Sequence, residues 1–275
     1  MRSHAISQTL VDAPSGARST GARIRALTRN FFEREVRIRY LGSSTGLLWA
    51  IIHPLALLGV YHFVFTSVFR APSFGTQSFL AFVAVALWPW LASQEAISRA
   101  TVSLAGYSGL IRKAAFPQEA IVYASLAATF TIHLCGYLVV LVVLRAFGEP
   151  IRFEGLLVAL PLWLVLLVGV TGLALCLASL QVFVRDVEHV LIPVLMIFMY
   201  VTPILYPLAL VPQTMKPWVA ANPFGWLVTR MRDALLDGNL AFRFGDAIAL
   251  VVALALFAGG LWMFRRLAPH FEDFI

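Results

Sequence analysis

A bundle of membrane-spanning α-helices is the fold class this sequence predicts. Charge is scarce, apolar residues gather into blocks of bilayer length, and arginines cluster just ahead of the first block. Of 275 residues, 60% are hydrophobic and 13% are charged, with mean hydropathy +0.83. A soluble domain carries about 25% charged residues, so this chain has roughly half of what an aqueous surface needs. A spanning helix needs about 20 mostly apolar residues to cross about 30 Å of hydrocarbon, and six blocks reach that length. The expected architecture is all-α. It comprises six transmembrane helices, an N-terminal amphipathic helix lying in the membrane interface, and re-entrant helices between the fifth and sixth crossings.

Residues 1–22 are rich in Ser, Ala, Gly and Arg and have no apolar core, so they read as a flexible N-terminus and not as a cleavable signal. Residues 23–45 form the interfacial helix: Ile24, Leu27, Phe31, Ile38 and Leu41 recur at helical spacing, with Arg25, Arg29, Arg37 and Arg39 mainly on other faces. The spanning domain occupies 46–275. Its first block, Leu47–Phe69, should kink at Pro54, which removes a backbone donor. The second, Gln77–Ala96, contains Trp88-Pro89-Trp90. Residues 97–117 carry Arg99, Arg112 and Lys113 and read as a loop holding a short helix. The third and fourth blocks are Glu119–Phe147 and Leu156–Val184, after which Arg185-Asp186-Val187-Glu188-His189 returns the chain to water. The fifth, Val190–Val211, includes Thr202-Pro203-Ile204-Leu205-Tyr206-Pro207. In 212–243, Pro212, Pro217-Trp218 and Asn222-Pro223 divide two short helices, either a re-entrant element at the outer mouth of a pathway or a surface loop. The sixth block is Phe244–Phe264, followed by Arg265-Arg266.

Six crossings put both termini on one side. Lys and Arg on the side of the N-terminus outnumber those on the other by about two to one, which makes that side cytoplasmic. The net charge of +7 is concentrated in Arg2, Arg18, Arg23, Arg25, Arg29, Arg34, Arg37 and Arg39, beside the first block. Such placement fits anionic membrane lipids as partners and no nucleic acid. Cys135 and Cys176 both lie in apolar blocks, where no metal-ligand spacing can be built from them.

The chemistry that is missing narrows the function. No G-x-x-x-x-G-K-[ST] loop, H-E-x-x-H motif or nucleophile elbow occurs, so the chain is not expected to be an enzyme. Glu95 and Glu119 fall at the ends of their blocks, leaving His53, His62 and His133 as the ionisable groups at depth, and ion-coupled transporters usually place acids there. If the chain transports, its energy source lies in another polypeptide.

Arg37-Ile-Arg-Tyr-Leu-Gly-Ser-Ser-Thr-Gly-Leu-Leu-Trp49, then Pro54, resembles the lead-in of the ABC-2 permeases that export O-antigen, capsule and teichoic acid chains. Leu110-Ile111-Arg112-Lys113 with Phe116-Pro117 is similar to that family's coupling helix, and Phe183-Val184-Arg185-Asp186-Val187 to its second cytoplasmic turn. Thr202 to Pro207 and Asn222-Pro223 are similar to its fifth-helix and periplasmic-gate segments, and Phe271-Glu272-Asp273 also fits. The resemblance implies a bacterial inner-membrane homodimer around a central conduit, its termini cytoplasmic, served by two copies of a separate ABC ATPase that binds ATP and Mg²⁺. No cofactor is expected in this chain. Leu110, Ile111 and Phe116 would give apolar contact to the ATPase, Arg112 and Lys113 would meet acidic groups at its rim, and Arg185 and Asp186 belong to the same surface. Pro217, Trp218, Asn222 and Pro223 would form the periplasmic gate.

The cargo implied is a lipid-linked polysaccharide. Seven Trp, seven Tyr and 21 Phe offer flat apolar faces to sugar rings, although a lipid-facing belt accounts for many of them. Trp49, Tyr61 and Phe65 on the first helix and Phe198, Tyr200 and Tyr206 on the fifth are the candidate conduit lining, since the family places those helices beside the pathway. The Thr-Pro-Ile-Leu-Tyr-Pro form and Tyr40 favour O-antigen. A capsule exporter and an ABC-2 drug or small-lipid exporter are the alternatives.

Overall fold

The structure, a computed structural model, describes residues 20–40, scattered positions between 52 and 68, and residues 78–113 and 116–275. The first expected block, 47–69, lies outside the described residues except for isolated helical positions and a π-helical stretch, Val64–Val68. Trp49, Tyr61 and the Phe65 side chain therefore lie outside them too, as does nearly all of the N-terminal segment 1–22.

Every element in the described residues is helical. Helix α1, Thr20–Tyr40, rests on α4, Glu119–Ala146. Its buried side is narrow, Leu27 and Phe31, while Arg25, Arg29 and Arg37 face outward and Arg29 pairs with Glu33 at 3.1 Å. Helix α2, Phe79–Ser103, is the centre of the bundle. It packs on α4, on α5 (Leu156–Phe183), on α6 (Val187–Val201) and on α8 (Pro223–Leu235). In its apolar stretch 78% of residues are buried, against 22% for the peripheral α9, Phe244–Leu267. Small residues explain the position: Ala81, Ala84, Ala86, Ala92, Ala96 and Ala100 are all buried and let neighbouring backbones come close.

Among the described residues, four helices are long and apolar enough to cross a membrane: α2, α4, α5 extended by the turn Phe153–Gly155, and α9 extended to Phe274. Two expected boundaries move. Helix α2 does not stop at Ala96 but runs to Ser103, so Glu95 is well inside it and not at its end. Its carboxylate accepts from Arg99 Nε at 2.6 Å and sits 2.8 Å from His133 Nε2, which draws three polar groups together between α2 and α4, with His133 Nδ1 buried and unpartnered. The fifth block ends early, because α6 stops at Val201 and not at residue 211. Thr202 precedes a proline, which disfavours the helical region, and it is extended at φ −86°, ψ 137°.

Helices α5 and α9 pack along much of their length. Their contact depends on Gly172 and Gly260, where a Cβ at either position would run into the backbone of the facing helix. Pro89 inside α2 leaves the Val85 carbonyl without its i+4 donor, and the hydroxyl of the buried Tyr137 on α4 donates to that oxygen at 3.2 Å. Cys135 is exposed on α4 and Cys176 half-buried on α5; neither is disulfide-bonded.

Candidate functional site

One end of the bundle gathers residues 104–113 and 116–118, the turn 184–186 and the C-terminal residues 268–275. A 3₁₀ turn, Ala105–Tyr107, leads into the single-turn helix α3, Ser108–Ile111. The inward side of this loop is apolar. Ile111 is fully buried in the chain's own core and Tyr107 nearly so, while Phe116 is half-buried. Phe31 of α1 meets Tyr107 edge-on at 5.0 Å and Phe116 at 6.0 Å, which seats the interfacial helix on the loop. Burial, with Glu35 beside it, pushes the Tyr107 phenol up to about 12, so it remains a donor to Glu35 Oε1 at 3.4 Å. The outward side of the loop is Gly106, Gly109, Arg112 and Lys113, all exposed, with Leu110 half-buried and Pro117 beside it.

Of the residues expected on an ATPase-facing surface, Arg112, Lys113, Arg185 and Asp186 are thus exposed at one end, whereas the contact area of Ile111 is taken up inside the fold. The sequence reading missed the part played by the C-terminal residues. Phe271 is buried between Phe264 and Phe183, Phe274 packs on Phe183 at 4.8 Å, and Arg112 donates to the Ile275 carbonyl. Helix α10, Phe271–Phe274, therefore bridges α3 and the end of α5. Phe271-Glu272-Asp273 gave a signal only as a terminal motif, since Phe183, the ring on which Phe271 and Phe274 pack, comes from a distant part of the sequence.

The opposite end is built on the break after α6. A 3₁₀ turn, Leu208–Leu210, leads to the short α7, Lys216–Ala220, and then to α8. Asn222 caps α8, accepting from Phe224 N at 3.0 Å, and its amide donates to Thr202 Oγ1 at 2.9 Å. Pro223 follows at the first helical position, where its missing donor costs nothing. Trp218 is 80% exposed and Pro217 exposed, whereas Asn222 is buried and Pro223 exposed, so the four expected gate residues divide between an outward-facing α7 and the seated start of α8. Phe198 is partly exposed and lies 5.8 Å from Trp90 and 6.5 Å from Phe224; Tyr200 is exposed, and its carbonyl accepts from Tyr206 Oη at 2.8 Å. These three aromatics thus come from the two stretches of chain that flank the break.

Two buried arginines of α8 hold this end together. Arg230 donates to Asp246 Oδ1 at 3.2 Å and to the Ala241 carbonyl at 2.9 Å. Asp246, in the first turn of α9, also accepts from Trp226 Nε1 at 2.9 Å and Arg243 N at 3.0 Å. Arg232 donates to the carbonyls of Phe82 at 2.8 Å, Pro203 at 2.6 Å and Ile204, with its guanidinium 3.6 Å above the Phe82 ring.

A helical bundle with several bilayer-length apolar helices, an exposed basic loop at one end and a proline-broken segment at the other is a multi-pass membrane protein. Residues 27–236 match the family model described as ABC-2 type transporter, and the chain belongs to that family. It is 25% identical over 243 residues to the O-antigen export system permease protein RfbA of Klebsiella pneumoniae, covering 88% of this chain and 92% of that protein. A protein of the same description from Myxococcus xanthus is 27% identical over 244 residues, with 86% and 89% covered. The polysialic acid transport protein KpsM of Escherichia coli is 23% identical over 234 residues, with 83% and 88% covered.

Proposed function

We propose that this chain is the permease subunit of an ABC exporter that carries a lipid-linked polysaccharide across a bacterial inner membrane, with O-antigen the cargo that fits best. The observation that carries the reading is end-to-end similarity to permeases named for O-antigen export and for polysialic acid transport, over 83–88% of the chain. Their shared cargo class is a glycan polymer. The form of the break at 202–207 and the similarity to O-antigen permeases from two organisms favour O-antigen. Similarity to the polysialic acid transport protein keeps a capsule polymer as the second reading.

In this reading the chain has six crossings, the first built from 47–69, and the end bearing Arg112, Lys113, Arg185 and Asp186 is cytoplasmic together with both termini. Two copies pair around the conduit. Helix α6 supports this, since it buries only Leu191 and Leu195 and leaves Val190, Ile192, Val194, Ile197 and Tyr200 exposed. ATP and Mg²⁺ are held by two copies of a separate ATPase, whose docking surface is the outward side of the 105–113 loop and the 184–186 turn. Helix α7 and the start of α8 form a re-entrant gate on the periplasmic side. Phe198, Tyr200 and Tyr206, with Trp49, Tyr61 and Phe65 of the first crossing, offer ring faces to successive sugars.

Deleting the gene in its source bacterium tests the reading. Lipid-linked polymer should accumulate on the cytoplasmic face and disappear from the cell surface, and a plasmid copy should restore export. Normal surface polymer in the deletion strain would sink the proposal, and loss of capsule with intact O-antigen would move it to the second reading.

A further inference from the structure

The four expected gate residues lie in segment 212–243, but its two halves are held very differently. Helix α8 is attached at several points. Arg232 reaches the Phe82 carbonyl on α2 and the Pro203 and Ile204 carbonyls past the end of α6. Asn222 reaches Thr202, and Arg152 N donates to the Leu235 carbonyl at 2.8 Å. Near the same point Gly155 lies so close to Ala234 that a Cβ would overlap its backbone. By contrast α7 is five residues long, buries only Val219, and exposes Pro217 and Trp218, with Met215 exposed just ahead of it.

The chemistry of Arg232 explains why its attachment cannot be a transient one. The breaks in helical pairing around Pro203 leave carbonyls without helical donors in an apolar setting. One planar guanidinium with donors in a fixed fork satisfies carbonyls on two separate elements. Pulling α8 away would strand both the oxygens and a buried cation. Asp233, the adjacent residue, is engaged elsewhere by Arg243 Nη1 at 2.6 Å, so Arg232 depends on these carbonyls.

We infer that Arg232 is a positioning residue that makes α8, the 202–204 break and α2 a fixed frame, and that opening of the outer end is confined to a flap, residues 208–221, carrying Trp218. The inference rests on the transport reading for what the flap admits, but the division into frame and flap does not.

Hydrogen exchange on the full permease–ATPase complex, with and without vanadate-trapped ATP, tests it. Amides of 224–236 should stay protected in both states while those of 208–221 change. Equal or larger changes in 224–236 would overturn the division. Arg232→Lys and Arg232→Gln should both speed exchange in 224–236 and both lose export, because a single ammonium cannot span carbonyls on two elements. Rescue of protection and export by the lysine would remove the role assigned to the fork. If either variant fails to assemble, the comparison of the two states in the unmodified protein still decides. If no ATPase co-purifies, the transport reading fails on its own, and slower exchange of 224–236 than of 208–221 in the solubilised chain still judges the frame.

Discussion

Tyr137 shows how single polar atoms decide whether a helix can be broken inside this bundle. Pro89 deprives the Val85 carbonyl of its donor, and the Tyr137 hydroxyl supplies one at 3.2 Å from a different helix. Tyr137→Phe keeps the ring and its packing against Trp163 at 5.3 Å but orphans the carbonyl. Leaving a buried acceptor unpaired costs about 1–3 kcal/mol, so the variant should unfold in detergent at a lower temperature with its helix content unchanged. An unaltered midpoint would show that the bond contributes nothing. Pro89 was visible in the sequence as an interruption of an apolar block, but its remedy on another helix was not. A tyrosine in a run of apolar residues has no periodicity that names its partner. The Glu95–His133 pair was hidden for a similar reason. Composition placed the end of the block at Ala96, and only the continuation of α2 to Ser103 brings Glu95 to the depth of His133.

Among elements, the pairing of α5 with α9 depends on two glycines facing each other. Gly172 and Gly260 leave no room for a Cβ, since each would meet backbone and not a flexible side-chain end. Overpacking a close helix contact costs typically about 1–3 kcal/mol, so Gly260→Leu should lower the yield of folded protein and the unfolding midpoint. Gly259→Leu, one position away and facing open space, should not. Equal behaviour of the two variants would show that the helices do not meet there. Apolar block length located both helices to within a few residues, because long apolar runs between charged turns leave few other solutions. It carried no information on which faces meet, since α5 is apolar on every side. The break after α6 was half legible. Thr202-Pro203 marks it locally, yet the apolar residues beyond it carried the expected block on to residue 211, and the arginine that stabilises the interruption lies 29 residues downstream of Pro203.

At the scale of the whole molecule, the question is how a push at one end reaches the other. Phe31 joins helix α1 to Tyr107 and Phe116, Phe183 joins helix α10 to α5 through Phe271, and the Arg112–Ile275 hydrogen bond ties α3 to the C-terminus, so the basic end forms one packed layer. A partner pressing on Arg112 and Lys113 would move α3 together with the ends of α2 and α5. This layer also changes which variants are informative. Phe116→Asp would unseat α1 as well as any partner, because Phe116 faces Phe31 inside the chain. The exposed cations make a cleaner test. Arg112→Glu with Lys113→Glu removes the exposed Arg112–Ile275 hydrogen bond but no buried contact, and charge at an interface rim acts mainly on association rate and salt dependence. The double variant should insert and fold as the unmodified protein does, with the same unfolding midpoint. It should recover markedly less ATPase on purification, and export should drop in proportion. Charge reversal of the matching acidic residues on the ATPase should restore both. Full ATPase recovery with the double variant at physiological salt would place the docking surface elsewhere, and a reporter fused after Ile275 that proved periplasmic would place it on the wrong side of the membrane.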